Sequence, residues 1–574
     1  MLIHPADWAV IVGYLLIVII IGVVASRRIK DSSHFFLGAR KFGKLLMIGQ
    51  SFSSGTHVEM PVSLAGAVYT TGLSGIWFQW KNLFATPFYW IMAPVFRRAR
   101  RTTIAEIVED RYGPWMGAIY TLFALIFFTI NTANMLKGAG KVISQAVGGE
   151  VGVNSIVIAM TVIFLAYSFF GGLVATAWAE FFQGFLIIAL SFMLIPLGWS
   201  AVGGFSGIRT TLAGSMTSLE TPEGVGAWFI LMLTINGLIG IMAQPHMLAA
   251  VGTGKDEHTC RVGFLYGTFV KRACTIGWAI VGLMVAVLII QGTFGVTSLH
   301  DPEDAFGFAC RHLLFPGALG LMIASIMAAN MSACSVFMVD SGALFTQGFY
   351  RRHVRPNRPD RHYLWVGRVS GLAITLLGVL YAVFLVKRVL YSFLFTETLS
   401  TYMGISIVGG IVWRRANRWG AIASLVVALA TNFVVYRLLG ERFDHWNPNV
   451  FLAALVAGIV SLIVVSLATS PEPEAAVMPF VARLQTPSDE PMEPGASGAS
   501  LSTDDPEAHS GSAEPSRHVA EQGKQLLLIN LLNLRGAAFG VGFFKAYRAD
   551  LVGLAIGSSI AVGLVAFVWV LVRL

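Results

Sequence analysis

Runs of about 20 apolar residues recur along the chain, separated by short polar or basic stretches, and a run of that length is what an α-helix needs to cross a bilayer. Fourteen such spans are predicted, near 8–25, 45–69, 76–96, 116–137, 152–170, 176–198, 226–249, 273–291, 317–347, 364–386, 390–412, 419–437, 449–468 and 550–571. The second span departs from the pattern. Gly49 to Gly66 reads GQSFSSGTHVEMPVSLAG, with hydroxyls, His57, Glu59, Pro61 and glycines in apolar surroundings. Backbone that gives up helical hydrogen bonds at membrane depth is tolerated only where it is buried in protein or lines a wet cavity. Transporters use such broken helices to hold an ion and a solute near the midplane. The seventh span is interrupted as well: 236–246 reads NGLIGIMAQPH, where Pro245 removes a backbone donor. The two interruptions lie five spans apart, at corresponding positions of two five-helix units, spans 2–6 and 7–11. An odd number of helices per unit inserts the second unit upside down and brings both breaks to the midplane.

Composition agrees with this picture and narrows it. Of 574 residues, 55% are hydrophobic and only 12% are charged, which fits an all-α polytopic membrane protein. The formal charge of +9 is no nucleic-acid signal, because the basic residues fall between spans. Arg27, Arg28, Lys30, Arg40 and Lys41 form one group, and Arg97, Arg98, Arg100 and Arg101 the next. Lys255, Arg261, Lys271 and Arg272 are placed in a third such loop, followed by the run from Arg351 and then by Arg414, Arg415 and Arg418. If these loops are cytoplasmic, both termini are outside and the protein is a multi-pass protein of the cell membrane. The first apolar run reads as a retained helix. Cys260, Cys274, Cys310 and Cys334 show no transition-metal spacing. No Walker A, HExxH or GxSxG sequence is present, so neither ATP coupling nor an enzyme activity is expected, and there is no catalytic residue to name.

The predicted organisation is an extra helix and cytoplasmic loop over 1–44, a first repeat over 45–198 and a second over 199–412. Two additional helices follow over 413–469. Residues 470–524 are rich in Pro, Ser, Glu and Gly, which predicts a disordered linker. Over 525–574 an amphipathic segment leads to the last span, with 470–549 on the cytoplasmic side. Polar groups inside spans are functional hypotheses by default, though Asn and Ser often only bond neighbouring helices. They include Gln79, Lys81, Asn82, Asn131, Asn134, Lys137, Asn236, Gln244, Ser325, Asn330 and Asp340. Lys81 and Lys137 also suit snorkelling to the outer interface.

Several segments resemble the sodium:solute symporter family over about residues 5–465. DSSHFFLGARKFG and LAGAVYTTG are similar to the entry and exit of the family's first core helix. GGLVATAWAEFFQG, AQPH, GLMIASIMAANMSACS and ALFTQGFYRRHVRP resemble four further family segments, in the same order. The resemblance implies a leucine-transporter-like inverted five-plus-five fold and Na+-coupled symport of a small organic solute by alternating access, for which a monomer suffices. It implies Na+ ligands at Ser53, Thr56, Ala329 and Ser332, with Glu180 on the cation path. The solute cavity would take His57, Glu59, Gln79, Asn82, Asn131, Asn236 and Gln244. Ala333 stands where the family usually carries a second hydroxyl, which motivates a proton-coupled version with Glu59 and Asp340 as carriers. A membrane sensor that binds solute without moving it is the alternative of another class. Glu59 and Asp340 suit a cationic solute, whereas AQPH points to amino acids or other carboxylates, met by Lys81 or Lys137.

Overall fold

The computed structural model describes residues 3–26, 42–221, 225–440, 445–488, 526–528 and 541–573. Among them the regular elements are helical, with a single β-bridge between Phe42 and Gly254. Helix α1 (Pro5–Ser26) precedes the first broken helix, made of α2 (Lys44–Ser53) and α3 (Glu59–Thr71). Side chains end α2 by taking its last carbonyls: Ser54 Oγ donates to Gln50 O at 2.6 Å and Thr56 Oγ1 to Phe52 O at 2.5 Å. Such local bonds compete with the helical ladder. In α3 the Glu59 carboxylate sits in the first turn, where it meets the positive end of the helix, and Pro61 lacks a donor that the first turn does not need.

Residues 73–88 form short helical turns and lead to α4 (Tyr89–Arg98). Then come α5 (Ile104–Tyr112), α6 (Pro114–Ala146) and α7 (Val153–Phe192). The second break follows α8 (Ala227–Gly240), which tightens to a 3₁₀ turn at 241–243 and stops at Gln244. The ring of Pro245 disfavours a helical conformation in the residue before it, and Gln244 is extended at φ −67°, ψ 120°. The chain resumes as α9 (Met247–Gly252) and then α10 (Glu257–Ile290), α11 (Ala305–Leu313), α12 (Ala318–Ala343) and α13 (Asp360–Phe384). Last come α14 (Val389–Val412), α15 (Arg418–Leu438), α16 (Pro448–Ala468), α17 (Glu474–Gln485) and α18 (Arg548–Leu571).

Among the described residues, seven helices are long and apolar enough to cross a membrane: α6, α10, α12, α13, α15, α16 and α18. The fourteen expected spans do not appear as fourteen separate helices. Unwinding divides the second and seventh, the third begins as short turns and ends in α4, and the fifth and sixth run on as α7. Helices α10 and α12 are buried along most of their length, whereas α13, α15, α16 and α18 turn apolar faces outward, as lipid requires. Close helix packing uses small residues. On α13, Gly367 and Gly371 lie one turn apart, and a Cβ on Gly371 would stand 2.3 Å from the Met338 carbonyl of α12.

One expected linker residue range is folded. Helix α17 lies inside 470–524, with Val477, Phe480 and Leu484 buried, Arg483 paired to Asp110, and Arg98 donating to the Leu484 carbonyl at 3.2 Å. Composition predicted disorder there because the tail as a whole has too little apolar surface to order itself. These twelve residues borrow that surface from α4 and α5. Residues 489–525, and most of the 525–546 segment, lie outside the described residues.

Candidate functional site

The two breaks face one cavity of about 60 Å³ at the centre of the bundle. From the first break Gly55 and His57 line it, and from the second Gln244 and His246. The wall between them comes from Gln79, Lys81 and Asn82, from Asn131 on α6, and from Phe393 and Glu397 on α14.

At the first break, His57 Nε2–H donates to the Ser54 carbonyl at 2.7 Å, while Nδ1 lies 2.8 Å from Glu59 Oε1. A carbonyl only accepts, so the ring's first proton is on Nε2. The second ring nitrogen therefore faces a carboxylate oxygen inside the protein, within hydrogen-bond reach. Glu59 is fully buried and reaches the cavity only through His57.

Across the cavity, Lys81 Nζ donates to Glu397 Oε2, and Gln244 Nε2 donates to Glu397 Oε1 at 2.9 Å. Glu397 thus ties the short turns within the third span to the second break. Lys81 is 2% exposed and does not reach toward the outer interface. Lys137 is the one near a surface, donating to Asn154 at 3.2 Å.

Of the sequence-predicted solute residues, His57, Gln79, Asn82, Asn131 and Gln244 line the cavity. Asn236 does not. Its amide donates to Thr398 Oγ1 at 3.1 Å and accepts from Thr401 Oγ1 at 2.7 Å, so it joins α8 to α14. The expectation failed because a buried Asn between helices has the same sequence signature whether it faces a solute or a neighbour. Asp340 is buried on α12 away from the cavity, and its Oδ2 has no partner among the described residues. Ser53 and Thr56 lie at the end of α2, whose neighbours include α12, the helix of Ala329 and Ser332. The Ser53 carbonyl accepts from Thr56 N at 3.1 Å. Glu180 is on α7, and its side chain, like that of Ser332, lies outside the described residues.

Sequence reasoning missed Glu397, Lys271 and Arg272. Glu397 was detectable as a lone carboxylate within an apolar span. Lys271 and Arg272 had been placed in a cytoplasmic loop; both are inside α10 and line the cavity. Two adjacent charges lower the windowed hydropathy as a helix end does, so the span expected from 273 begins sixteen residues after α10 does, at Glu257.

A model of the sodium:solute symporter family matches residues 35–428. The chain is 24% identical over 472 residues to the osmoregulated proline transporter OpuE of Bacillus subtilis (strain 168), covering 78% of this chain and 92% of that protein. It is 25% identical over 497 residues to the sodium/proline symporter of Staphylococcus aureus (strain Newman), covering 81% and 93%. Its fold matches that of a Na+-coupled sialic acid symporter in a substrate-bound outward-open state, at TM-score 0.69 and 18% identity, over 82% of this chain and 98% of that one. Mhp1, a nucleobase-cation-symport-1 family transporter in a closed conformation, is similar at TM-score 0.51 and 14% identity, over 79% and 100%. The family model spans the two broken helices, the cavity between them and the helices that wall it, and this protein belongs to the sodium:solute symporter family.

Proposed function

We propose that the protein is a Na+-coupled symporter that moves a small organic solute across the membrane by alternating access. The observation that carries this is the pair of unwound segments facing one polar cavity. Each break frees carbonyls that a helix would consume, and a hard cation is bound by such oxygens. The Na+ site takes Ser53, Thr56, Ala329 and Ser332, with Glu180 on the path inward. Cation binding there ties α2 to α12, and the solute binds beside it at His57, Gln79, Asn82, Asn131 and Gln244. Coupling is reciprocal: whatever factor Na+ adds to solute affinity, the solute adds to Na+ affinity.

The first test needs no solute. Na+ that binds the folded protein alone raises its apparent stability by mass action. Purified protein in detergent is expected to melt at a higher temperature in NaCl than in choline chloride of equal strength. Ser332→Ala, losing one oxygen ligand, is expected to raise the half-maximal Na+ concentration about tenfold, or ~1.4 kcal/mol. Identical melting curves in the two salts would sink Na+ coupling.

A second reading, proton coupling, is favoured by the buried contact of His57 Nδ1 with Glu59 Oε1 at 2.8 Å at the first break. It predicts solute uptake into proteoliposomes under an imposed pH step in Na+-free buffer, abolished by Glu59→Gln. No uptake under that gradient removes it.

A further inference from the structure

We propose that Lys271 and Arg272 form an anion-binding subsite in the central cavity, and that the transported solute is a carboxylate with no compensating amine. This deepens the symport reading and rests on it. The argument starts from charge. Two of the ionisable contacts around the cavity are closed pairs: Lys81 with Glu397, and His57 with Glu59. Lys271 and Arg272 are left over. Lys271 Nζ donates to the Gly55 carbonyl in the first break, and Arg272 Nη1 donates to the Gln79 carbonyl at 2.6 Å. Among the described residues, neither has a carboxylate within ion-pair distance. Arg272 is 2% exposed and a guanidinium does not lose its charge. A cation at membrane depth is costly until a counter-charge approaches it.

Hydrogen bonding points the same way independently. Arg272 Nε, Gln79 Nε2, Tyr89 OH and His246 Nδ1 all belong to cavity-lining residues, all are at most 5% exposed, and none has a partner among the described residues. Three of these can donate at once, and a carboxylate offers about four lone-pair sites. Unpartnered acceptors there are fewer: each Glu397 oxygen already accepts one bond, from Lys81 or from Gln244, and Asn82 Oδ1 is the amide oxygen of the lining without a partner among the described residues. A substrate ammonium would meet Lys271 and Arg272, with Glu397 already bonded to Lys81 and Gln244. A substrate carboxylate finds two cations and spare donors. Lys271 also connects the subsite to the cation site, since an anion that draws its ammonium away from Gly55 returns that carbonyl to the first break.

The test uses three ligands of one size: cyclopentanecarboxylate, its neutral amide, and proline, which carries the same carboxylate beside a charged nitrogen. Full-length protein in NaCl is titrated with each and its melting temperature followed. Cyclopentanecarboxylate is expected to act at concentrations at least about tenfold below those of the amide and of proline. Arg272→Gln and Lys271→Gln are each expected to raise its half-maximal concentration by about tenfold or more, while Arg272→Lys keeps part of the affinity. Arg272→Gln loses the bond to Gln79, so Lys271→Gln serves if that variant does not fold. Equal or tighter binding of proline, equal binding of the amide, or no shift with any of the three overturns the proposal. Chloride is varied against sulfate in parallel; if chloride alone gives the Arg272-dependent shift, the subsite holds an inorganic ion and the solute assignment falls. A response to cyclopentanecarboxylate without any response to Na+ leaves the anion subsite standing and removes Na+ coupling.

Discussion

Replacing Glu397 by Gln should nearly abolish transport and lower stability, and replacing Lys81 together with it should recover the stability. Both side chains are buried, at 2% and 8% exposure, so water cannot compensate the partner left behind. Breaking a buried pair by removing one member typically costs about 3–5 kcal/mol, whereas replacing both members is often close to neutral. Lys81→Met is therefore expected to destabilise as strongly as Glu397→Gln, and the double variant Lys81→Met/Glu397→Gln to melt close to the parent. Glu397 also accepts from Gln244 at the second break, so the neutral double variant should stay deficient in uptake. The readouts are melting temperature by size-exclusion fluorescence and uptake in proteoliposomes, arranged as a double-mutant cycle. Additive losses in the cycle would mean that the two charges act independently.

Much of the site was legible in the sequence. The first break announced itself through Ser53, Ser54, Gly55, Thr56 and Pro61, residues that bond their own backbone or decline to donate, and the second through Pro245. Gln79, Asn82, Asn131 and Gln244 could be placed because polar residues in an apolar span need an inward face. What stayed hidden depends on pairing across the fold. Lys81 reads alone as a snorkelling lysine, since its partner Glu397 lies 316 residues away. Lys271 and Arg272 were misassigned because hydropathy averages over a window and cannot distinguish a charged pair at mid-helix from the edge of a loop. Asn236 shows the opposite error: its polarity serves α14, not the cavity. For 474–485, composition averaged over the tail concealed a short segment with Val477, Phe480 and Leu484 on a face that α4 and α5 cover.

Glu303→Ala should be the most damaging substitution outside the cavity. The turn Asp301–Asp304 lies between α10 and α11, and Glu303 within it is 4% exposed. Its Oε1 accepts from Leu390 N at 2.9 Å and its Oε2 from Val389 N at 3.2 Å, so it caps α14 from outside that helix. A carboxylate suits that position because the first amides of a helix lack partners and carry partial positive charge. Oε2 also accepts from Lys141 Nζ of α6 at 2.5 Å, and Lys141 reaches Asp301 Oδ2 at 2.9 Å. The same turn presses on α3: a Cβ on Gly66 would stand 2.7 Å from the Pro302 carbonyl. One carboxylate thus joins the second half of the first broken helix, through its own turn, to α6 and to the helix that carries Glu397. Removing it leaves two buried amides bare and Lys141 half-paired, for an expected loss of about 3–5 kcal/mol. Glu303→Gln keeps the shape and one acceptor and should cost less than half of that. Asp301 gives the loss a pH signature. Burial raises its carboxyl, but the Lys141 hydrogen bond and charge outweigh this and hold it below the usual carboxylate range. A carboxyl with a lowered folded-state pKa contributes stability above its unfolded value and loses it as pH falls through the folded one. In Glu303→Ala, Asp301 is the remaining carboxylate on Lys141, so the variant should weaken further in acid, and Asp301→Asn combined with Glu303→Ala should remove that acid dependence. Melting temperatures of the three proteins between neutral and acid pH decide it, and a Glu303→Ala protein that melts with the parent would show that the turn does not hold these helices together.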